Sequence, residues 1–187
     1  MDIGTGDGTY PYRKARIHPS RLFIGIDSNA SNMALSSRKA RRKPARGGVK
    51  NLLYVHATVE KLPEELSGLA EQLTIFLPWG SLLKALVTPE PLVLKELRKL
   101  CRVNAGLKII LGYNHSCEPG FTAKTGLPEL SRESFNSLIL PAYQRAGFRL
   151  QIRDFKKPEL TEIPSRWAQK LARGKDRNFF ELKGKAQ

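Results

Sequence analysis

Four short apolar runs recur along the chain: Leu22–Asp27 (LFIGID), Asn51–His56 (NLLYVH), Gln72–Leu77 (QLTIFL) and Leu107–Gly112 (LKIILG). They are rich in β-branched and aromatic residues and bounded by Gly, Pro or Asn, the pattern of strands buried on both faces. Between them the spacing turns helical. Asn29–Lys43 is one such stretch, with Asn29 or Ser31 as its N-cap. Pro89–Val103 is another, with an apolar stripe of Leu92, Leu94, Leu97, Leu100 and Val103. Ser131–Ala146 opens with S-R-E-S and stops at Gly147.

Strand followed by helix, repeated, implies right-handed βαβ units and a parallel sheet, hence an α/β fold. The rhythm changes near the end. Phe148–Phe155 alternates like a half-exposed strand, Pro164–Arg173 is helical, and Arg177–Lys183 is a final strand. The segment Tyr113–Pro128 is long for a compact domain, and such loops form lids or binding surfaces. There is no internal repeat or low-complexity linker, and 187 residues suit a single domain.

The first residues read MDIGTGDGTY. Gly4, Gly6 and Gly8 alternate, so the backbone can turn sharply and approach a ligand closely. Asp27 closes the next strand, where a carboxylate reaches the two hydroxyls of a ribose. A dinucleotide loop would read G-x-G-x-x-G and face a pyrophosphate. Here the spacing is G-x-G-x-G, and Asp2 and Asp7 would repel a pyrophosphate but suit a cation. S-adenosylmethionine, with its sulfonium, ammonium and ribose, meets those demands. The strand that should precede this loop has almost no residues here. The expectation is a chain truncated at its N-terminus, whose second and fourth strands lack their shared partner.

Charge narrows the partner. There are 32 Lys and Arg against 17 Asp and Glu, a formal net charge of +15. A protein so basic meets polyanions, because each neutralised phosphate releases counterions. No segment reads as a basic amphipathic helix for a membrane surface. No apolar run approaches the ~20 residues of a membrane span, and no signal peptide is evident, which points to the cytoplasm. Seven cations and no acid occupy Arg38–Lys50. Arg166, Lys170, Arg173, Lys175 and Arg177 surround Trp167. The other tryptophan, Trp79, follows the Gln72–Leu77 strand between Pro78 and Gly80. An aromatic among cations can stack an extruded base beside phosphates. His18, His56 and His115 are scattered and read as structural. Cys101 and Cys117 have no metal-type spacing, and no metal-ligand cluster is seen.

Together D-I-G-T-G-D-G, F-I-G-I-D, R-K-P-A-R-G-G-V-K-N, L-P-W-G-S-L-L and R-W-A-Q-K-L-A-R-G-K-D-R-N-F-F resemble the kanamycin–apramycin resistance methyltransferases. These are 16S rRNA (adenine(1408)-N1)-methyltransferases. The resemblance implies a Rossmann-like class I methyltransferase with a mostly parallel seven-stranded sheet and an antiparallel C-terminal strand. It implies S-adenosylmethionine as cofactor, and 16S rRNA within the 30S subunit as partner of a monomeric enzyme. It places Asp2, Gly4, Thr5, Gly6 and Gly8 at the methionine end and Asp27 at the ribose. Thr58, Val59 and Glu60 would surround the cofactor adenine, with Phe76 and Ser81 completing the cofactor site. Trp79 and Trp167 match the pair that sandwiches the flipped base. Ser165 lies beside the second of them, and Glu118 falls on a mobile loop near the target. Arg41, Arg42, Lys43, Arg46, Lys170, Lys175 and Arg177 match RNA-contacting cations. Thr125 replaces a basic residue, with Lys124 beside it. Two other readings stay open on the residues alone: a tRNA (guanine-N7) methyltransferase, and a catalytically dead RNA-binding protein.

Overall fold

The computed structural model describes residues 1–187. A seven-stranded sheet runs in the order β3-β2-β1-β4-β5-β7-β6. Its strands are β1 (Asp2–Ile3), β2 (Phe23–Asp27), β3 (Leu52–His56), β4 (Ala70–Phe76), β5 (Cys101–Leu111), β6 (Phe148–Phe155) and β7 (Phe179–Ala186). β1 to β5 pair in parallel, and β7 runs antiparallel to both β5 and β6. This is the mostly parallel sheet with an antiparallel C-terminal strand that the family resemblance implied.

The central strand is only two residues long, yet it joins its neighbours. Asp2 and Ile3 pair with Gly25 and Ile26 of β2, and Asp2 pairs with Thr74 of β4. The Met1 carbonyl accepts from the Thr74 N–H at 2.9 Å. The expectation that β2 and β4 lack a shared partner is therefore corrected. The part of the strand that positions the following loop is its C-terminal end, and those residues are present.

One face of the sheet is covered by α3 (Gly80–Val87), α4 (Pro91–Leu100) and the helical stretch Arg132–Arg145. Leu86, Leu97, Ile109, Phe135, Ile139, Tyr143 and Leu182 are fully buried there. Each such aliphatic side chain contributes about 1.5–3 kcal/mol relative to exposure. On the other face, α1 (Thr9–Ile17) and α2 (Ala30–Ala40) pack over β2 and β3 through Ala15, Ala40 and Leu52. Further along that face, α8 (Arg166–Arg173) buries Ala168 and Leu171 against Ile110, Phe155 and Phe179.

Asn29 is the N-cap of α2, its side chain accepting from the Ser31 N–H at 3.0 Å. The predicted helix Pro89–Val103 ends at Leu100, and β5 starts at Cys101 without a loop. Val103 continues the apolar spacing by coincidence, since it is 70% exposed. Three helices, α1, α3 and one in the Tyr113–Pro128 segment, escaped the sequence pattern. α1 buries only Pro11 and Ala15 and so shows no stripe, and α3 is eight residues long. The long segment Tyr113–Pro128 holds a short helix, α5 (Pro119–Thr125). Ser131–Ala146 is helical in three parts: α6 (Arg132–Ser134), a π turn (Phe135–Ile139) and α7 (Leu140–Arg145). The Ser131 hydroxyl accepts from the Ser134 N–H, and the Ser134 hydroxyl accepts from the Ser131 N–H. Pro141 has no N–H for the i→i−4 ladder, and the turn before it widens to π.

Candidate active site

The loops leaving β1, β2, β3 and β4 converge at the C-terminal edge of the sheet, where open α/β folds bind ligands. They enclose a cleft of about 970 Å³. Its floor is the Asp2–Asp7 loop. Asp27–Asn32 and Ala57–Glu60 form one side, Phe76–Leu82 the other, and Ser165–Lys170 of α8 closes the mouth.

Backbone geometry explains the glycines. Gly4, Gly6 and Gly8 have φ of 64°, 56° and 66°, a left-handed region costly for residues with a Cβ. A Cβ on Gly4 would stand 2.7 Å from Leu82 Cδ2, and one on Gly8 2.6 Å from the Tyr54 ring. A Cβ on Gly6 would meet no protein atom within 4 Å, so open space stands before the loop at this position.

Three carboxylates hold this loop. Asp2 is buried and accepts from the Thr5 hydroxyl at 2.6 Å and the Thr74 hydroxyl at 2.7 Å. Burial outweighs those bonds and pushes its pKa up to about 6. The Met1 ammonium acts on this carboxyl without forming an ion pair, and a buried acid so placed is stabilised by a positively charged ligand. Asp27 accepts from the Gly6 and Asn29 N–H groups at 2.8 and 2.9 Å. It thereby ties the β1 loop to the start of α2. Asp7 accepts from the Thr9 N–H at 2.9 Å and, across 159 positions, from the Arg166 N–H at 3.1 Å. This second bond fixes the first turn of α8 over the loop. Ser165 caps the same helix, its hydroxyl accepting from the Ala168 N–H at 3.0 Å.

The mouth is aromatic. β4 ends at Phe76, and Leu77 turns with φ 53°, a strained conformation for a branched residue. That turn aims Pro78 and Trp79 into the cleft. Trp79 and Trp167 are 43% and 38% exposed, with ring centroids 6.1 Å apart and planes at 69°. A sandwiched base needs two nearly parallel rings about 7 Å apart, two contact distances of about 3.5 Å. The tryptophans are therefore adjacent but not preset as a sandwich. One ring must swing for a base to enter. Trp79 instead stacks on Phe121 of α5, at 4.1 Å and 18°. Sequence reasoning passed over Phe121. Tyr10, also missed, lines the cleft and meets Phe76 edge-on at 4.8 Å.

Of the sequence-predicted residues, Asp2, Gly4, Thr5, Gly6, Asp27, Thr58, Val59, Glu60, Phe76 and Ser81 line the one cleft. So do Trp79, Trp167, Ser165 and Lys170. Three of the named positions lie elsewhere. Gly8 lies outside the lining; it starts α1, and its carbonyl accepts from the Tyr54 hydroxyl at 2.6 Å. Glu118 and Arg177 are also absent from the lining, and they pair with each other. The Arg177 guanidinium donates to the Glu118 carboxylate, and the two side chains are only 8% and 15% exposed. The Arg177 side chain is thus turned inward, and Glu118 stands at the N-terminus of α5. Lys175 is exposed, and the Lys170 ammonium sits 5.4 Å from the Trp167 ring centroid. Arg41, Arg42, Lys43 and Arg46 are exposed around the turn Pro44–Arg46. They follow the far end of α2, about 16 Å along its axis from the cleft rim. Lys124 is exposed, while the Thr125 hydroxyl donates to the Phe121 carbonyl.

The family model for NpmA, 16S rRNA (adenine(1408)-N(1))-methyltransferase, matches residues 1–186. The chain belongs to this family. A 16S rRNA (adenine(1408)-N(1))-methyltransferase of Streptoalloteichus tenebrarius is 38% identical over 178 residues, 95% of this chain and 81% of the relative. One from Escherichia coli is 34% identical, covering 98% of this chain and 85% of the relative. Among solved structures, the 16S rRNA methyltransferase KamB is 36% identical with a TM-score of 0.88, covering 100% of this chain and 86% of that one. A mutant of the enzyme from Catenulisporales acidiphilia, solved with cosubstrate SAM, has a TM-score of 0.89 at 33% identity, covering 99% and 84%. The cleft of this NpmA-family member suits S-adenosylmethionine on its own chemistry. It offers a buried carboxylate that gains from a cation, a second carboxylate at the end of β2, and a glycine with open space before it.

Proposed function

We propose that this chain is a single-domain, monomeric, cytoplasmic methyltransferase that modifies N1 of adenine 1408 of 16S rRNA, in the 30S subunit, and so confers aminoglycoside resistance. One observation carries the reading: two half-exposed tryptophans and a cation stand at the mouth of a cleft floored by a buried acid. In a member of this family, that arrangement suits an extruded base.

The chemistry asks little proton transfer of the protein. Adenine N1 carries an in-plane lone pair, so no general base must act before attack. Bound S-adenosylmethionine supplies the electrophilic methyl group. Asp2 would hold its ammonium, the Gly4–Gly6 backbone its methionine chain, and Asp27 its ribose hydroxyls. Thr58, Val59 and Glu60 would flank its adenine, beside Phe76 and Ser81. Trp79 and Trp167 hold the target base and shut out water, which places N1 for in-line attack. Extrusion of the base costs a few kcal/mol, and each aromatic stack returns about 1–3 kcal/mol. Ser165 positions Trp167 by capping its helix. Lys170 and Lys175 face the phosphates flanking the base, and the Arg41–Arg46 cations contact backbone further along the RNA.

The reading is tested by labelled methyl transfer from S-adenosylmethionine to purified 30S subunits, with Trp79→Ala and Trp167→Ala alongside. Loss of methylation in both variants, with cofactor binding intact, is the expected result. Equal turnover by all three proteins would reject the role of the tryptophans.

A further inference from the structure

One sheet face is only half covered. α8 and the turn Lys157–Glu162 pack over Ile110, Phe155, Phe179 and Leu160, at the cleft end of β5, β7 and β6. Below them the same face is open to solvent. In register there, Arg149 stands directly opposite Lys185, and Gln151 opposite Lys183. On β5, Gly106 lies opposite Lys185 and Lys108 opposite Lys183. Arg149, Gln151, Lys183 and Lys185 are all exposed. With Asn104 and Gln187 they line a groove of about 360 Å³.

The charge along this face is divided. Near the cleft, Glu181 accepts from Lys108 at 2.8 Å and Arg153 at 3.0 Å, and Glu159 also binds Arg153. Those cations are neutralised within the protein. Arg149, Lys183 and Lys185 have no carboxylate within 4.0 Å. Like charges directly opposite each other weaken an antiparallel pair, and Arg149 with Lys185 is such a pair. An ordinary solvated face mixes both signs. An anion bridging the strands converts this repulsion into binding.

We infer that the lower β5–β7–β6 face is a second docking site for ribosomal RNA, taking the phosphate backbone of a helix other than the one that carries the target base. The inference rests on the rRNA methyltransferase reading above. Arg149 lies six residues before Phe155 at the cleft end, about 20 Å along β6, so one flipped nucleotide cannot span both sites. Three cations, the groove between them and the absence of Asp and Glu from its lining suit consecutive phosphates. Such contacts fix orientation without reading sequence. They favour the folded ribosomal particle over a short RNA that carries only the target.

The test is a triple variant, Arg149→Gln, Lys183→Gln and Lys185→Gln. A charge-preserving control carries Lys183→Arg and Lys185→Arg. Binding to 30S subunits is measured from 50 to 200 mM salt, together with KM and kcat for methylation. Loss of three phosphate contacts lowers the slope of log K against log salt by about 2.7. KM for 30S should rise by roughly tenfold, with kcat and cofactor affinity unchanged, and the control should behave as wild type. A wild-type slope and KM in the triple variant would overturn the inference. So would unchanged 30S binding with loss of binding to phosphatidylserine vesicles, which would assign the face to a lipid surface. If the triple variant folds poorly, Lys183→Gln and Lys185→Gln singly decide the matter, each expected to lower the slope by about 1. Failure of the wild-type protein to methylate 30S refutes the proposed activity instead, and the salt slope still judges the docking face.

Discussion

Asp2 gives the sharpest prediction, because one substitution should move stability and binding in opposite directions. Its carboxyl is buried, and its pKa rises from 3.8 to about 6. Thr5, Thr74, the Met1 amine and Asp27 are the groups that act on it after burial itself. A raised carboxyl pKa adds stability below the unfolded value, and that stability is lost as pH rises through about 6. At pH 7 the free protein therefore carries an ionised Asp2 at a cost of about 3 kcal/mol, roughly 2.2 pH units at 1.36 kcal/mol each. Asp2→Asn removes that cost, and the free variant should melt higher at pH 7 by roughly 6–12 °C. The cofactor ammonium needs the ionised form. If the complex keeps Asp2 ionised, affinity follows the ionised fraction of the free protein, and falls about tenfold between pH 7 and pH 5. In Asp2→Asn the profile should be flat, with affinity at pH 7 lower by roughly 10- to 150-fold, the worth of a charge-assisted hydrogen bond. Calorimetric titration with S-adenosylmethionine at pH 5, 6 and 7 supplies the affinities, and scanning calorimetry the melting points. Wild-type affinity and pH slope in Asp2→Asn would refute the reasoning.

The aromatic mouth and the buried ion pair give further tests. Trp79→Ala and Trp167→Ala should each lower kcat/KM on 30S subunits by about 5- to 150-fold, one base stack apiece, without loss of cofactor binding by calorimetry. Phe121→Ala removes the ring that braces Trp79 and should lower kcat/KM by roughly 2- to 10-fold; an unchanged value would show that the brace is idle. Glu118→Ala leaves the inward-facing Arg177 uncompensated and should destabilise the fold by about 3 kcal/mol. A thermal melt then shows a fall of roughly 6–12 °C, and an unchanged midpoint would contradict the buried pairing.

Much of this fold was legible because its strands are continuous apolar runs and its loops have strong chemical signatures. The cleft was legible for the same reason. Gly4, Gly6 and Asp27 sit at strand ends, where the topology alone brings them together. What escaped has local causes. α1 hides because its buried side is Pro11 and Ala15, too small for an apolar stripe. Val103 misled because spacing cannot reveal that the chain has already left a helix at Leu100. The family resemblance groups Arg177 with RNA-contacting cations, but its pairing with Glu118, 59 positions earlier, is a contact that no sequence window shows. Phe121 belongs to the same class, since only folding places α5 against Trp79. The angle between the two tryptophans is likewise a property of the packed mouth, not of the residues that name it.

The most direct measurement is primer extension on 16S rRNA recovered from 30S subunits treated with this protein and S-adenosylmethionine. N1 methylation spoils the Watson–Crick edge, so reverse transcription should stop immediately 3′ of adenine 1408, and nowhere new elsewhere. Full read-through at that adenine, with labelled methyl absent from the RNA while a control enzyme is active, would contradict the account.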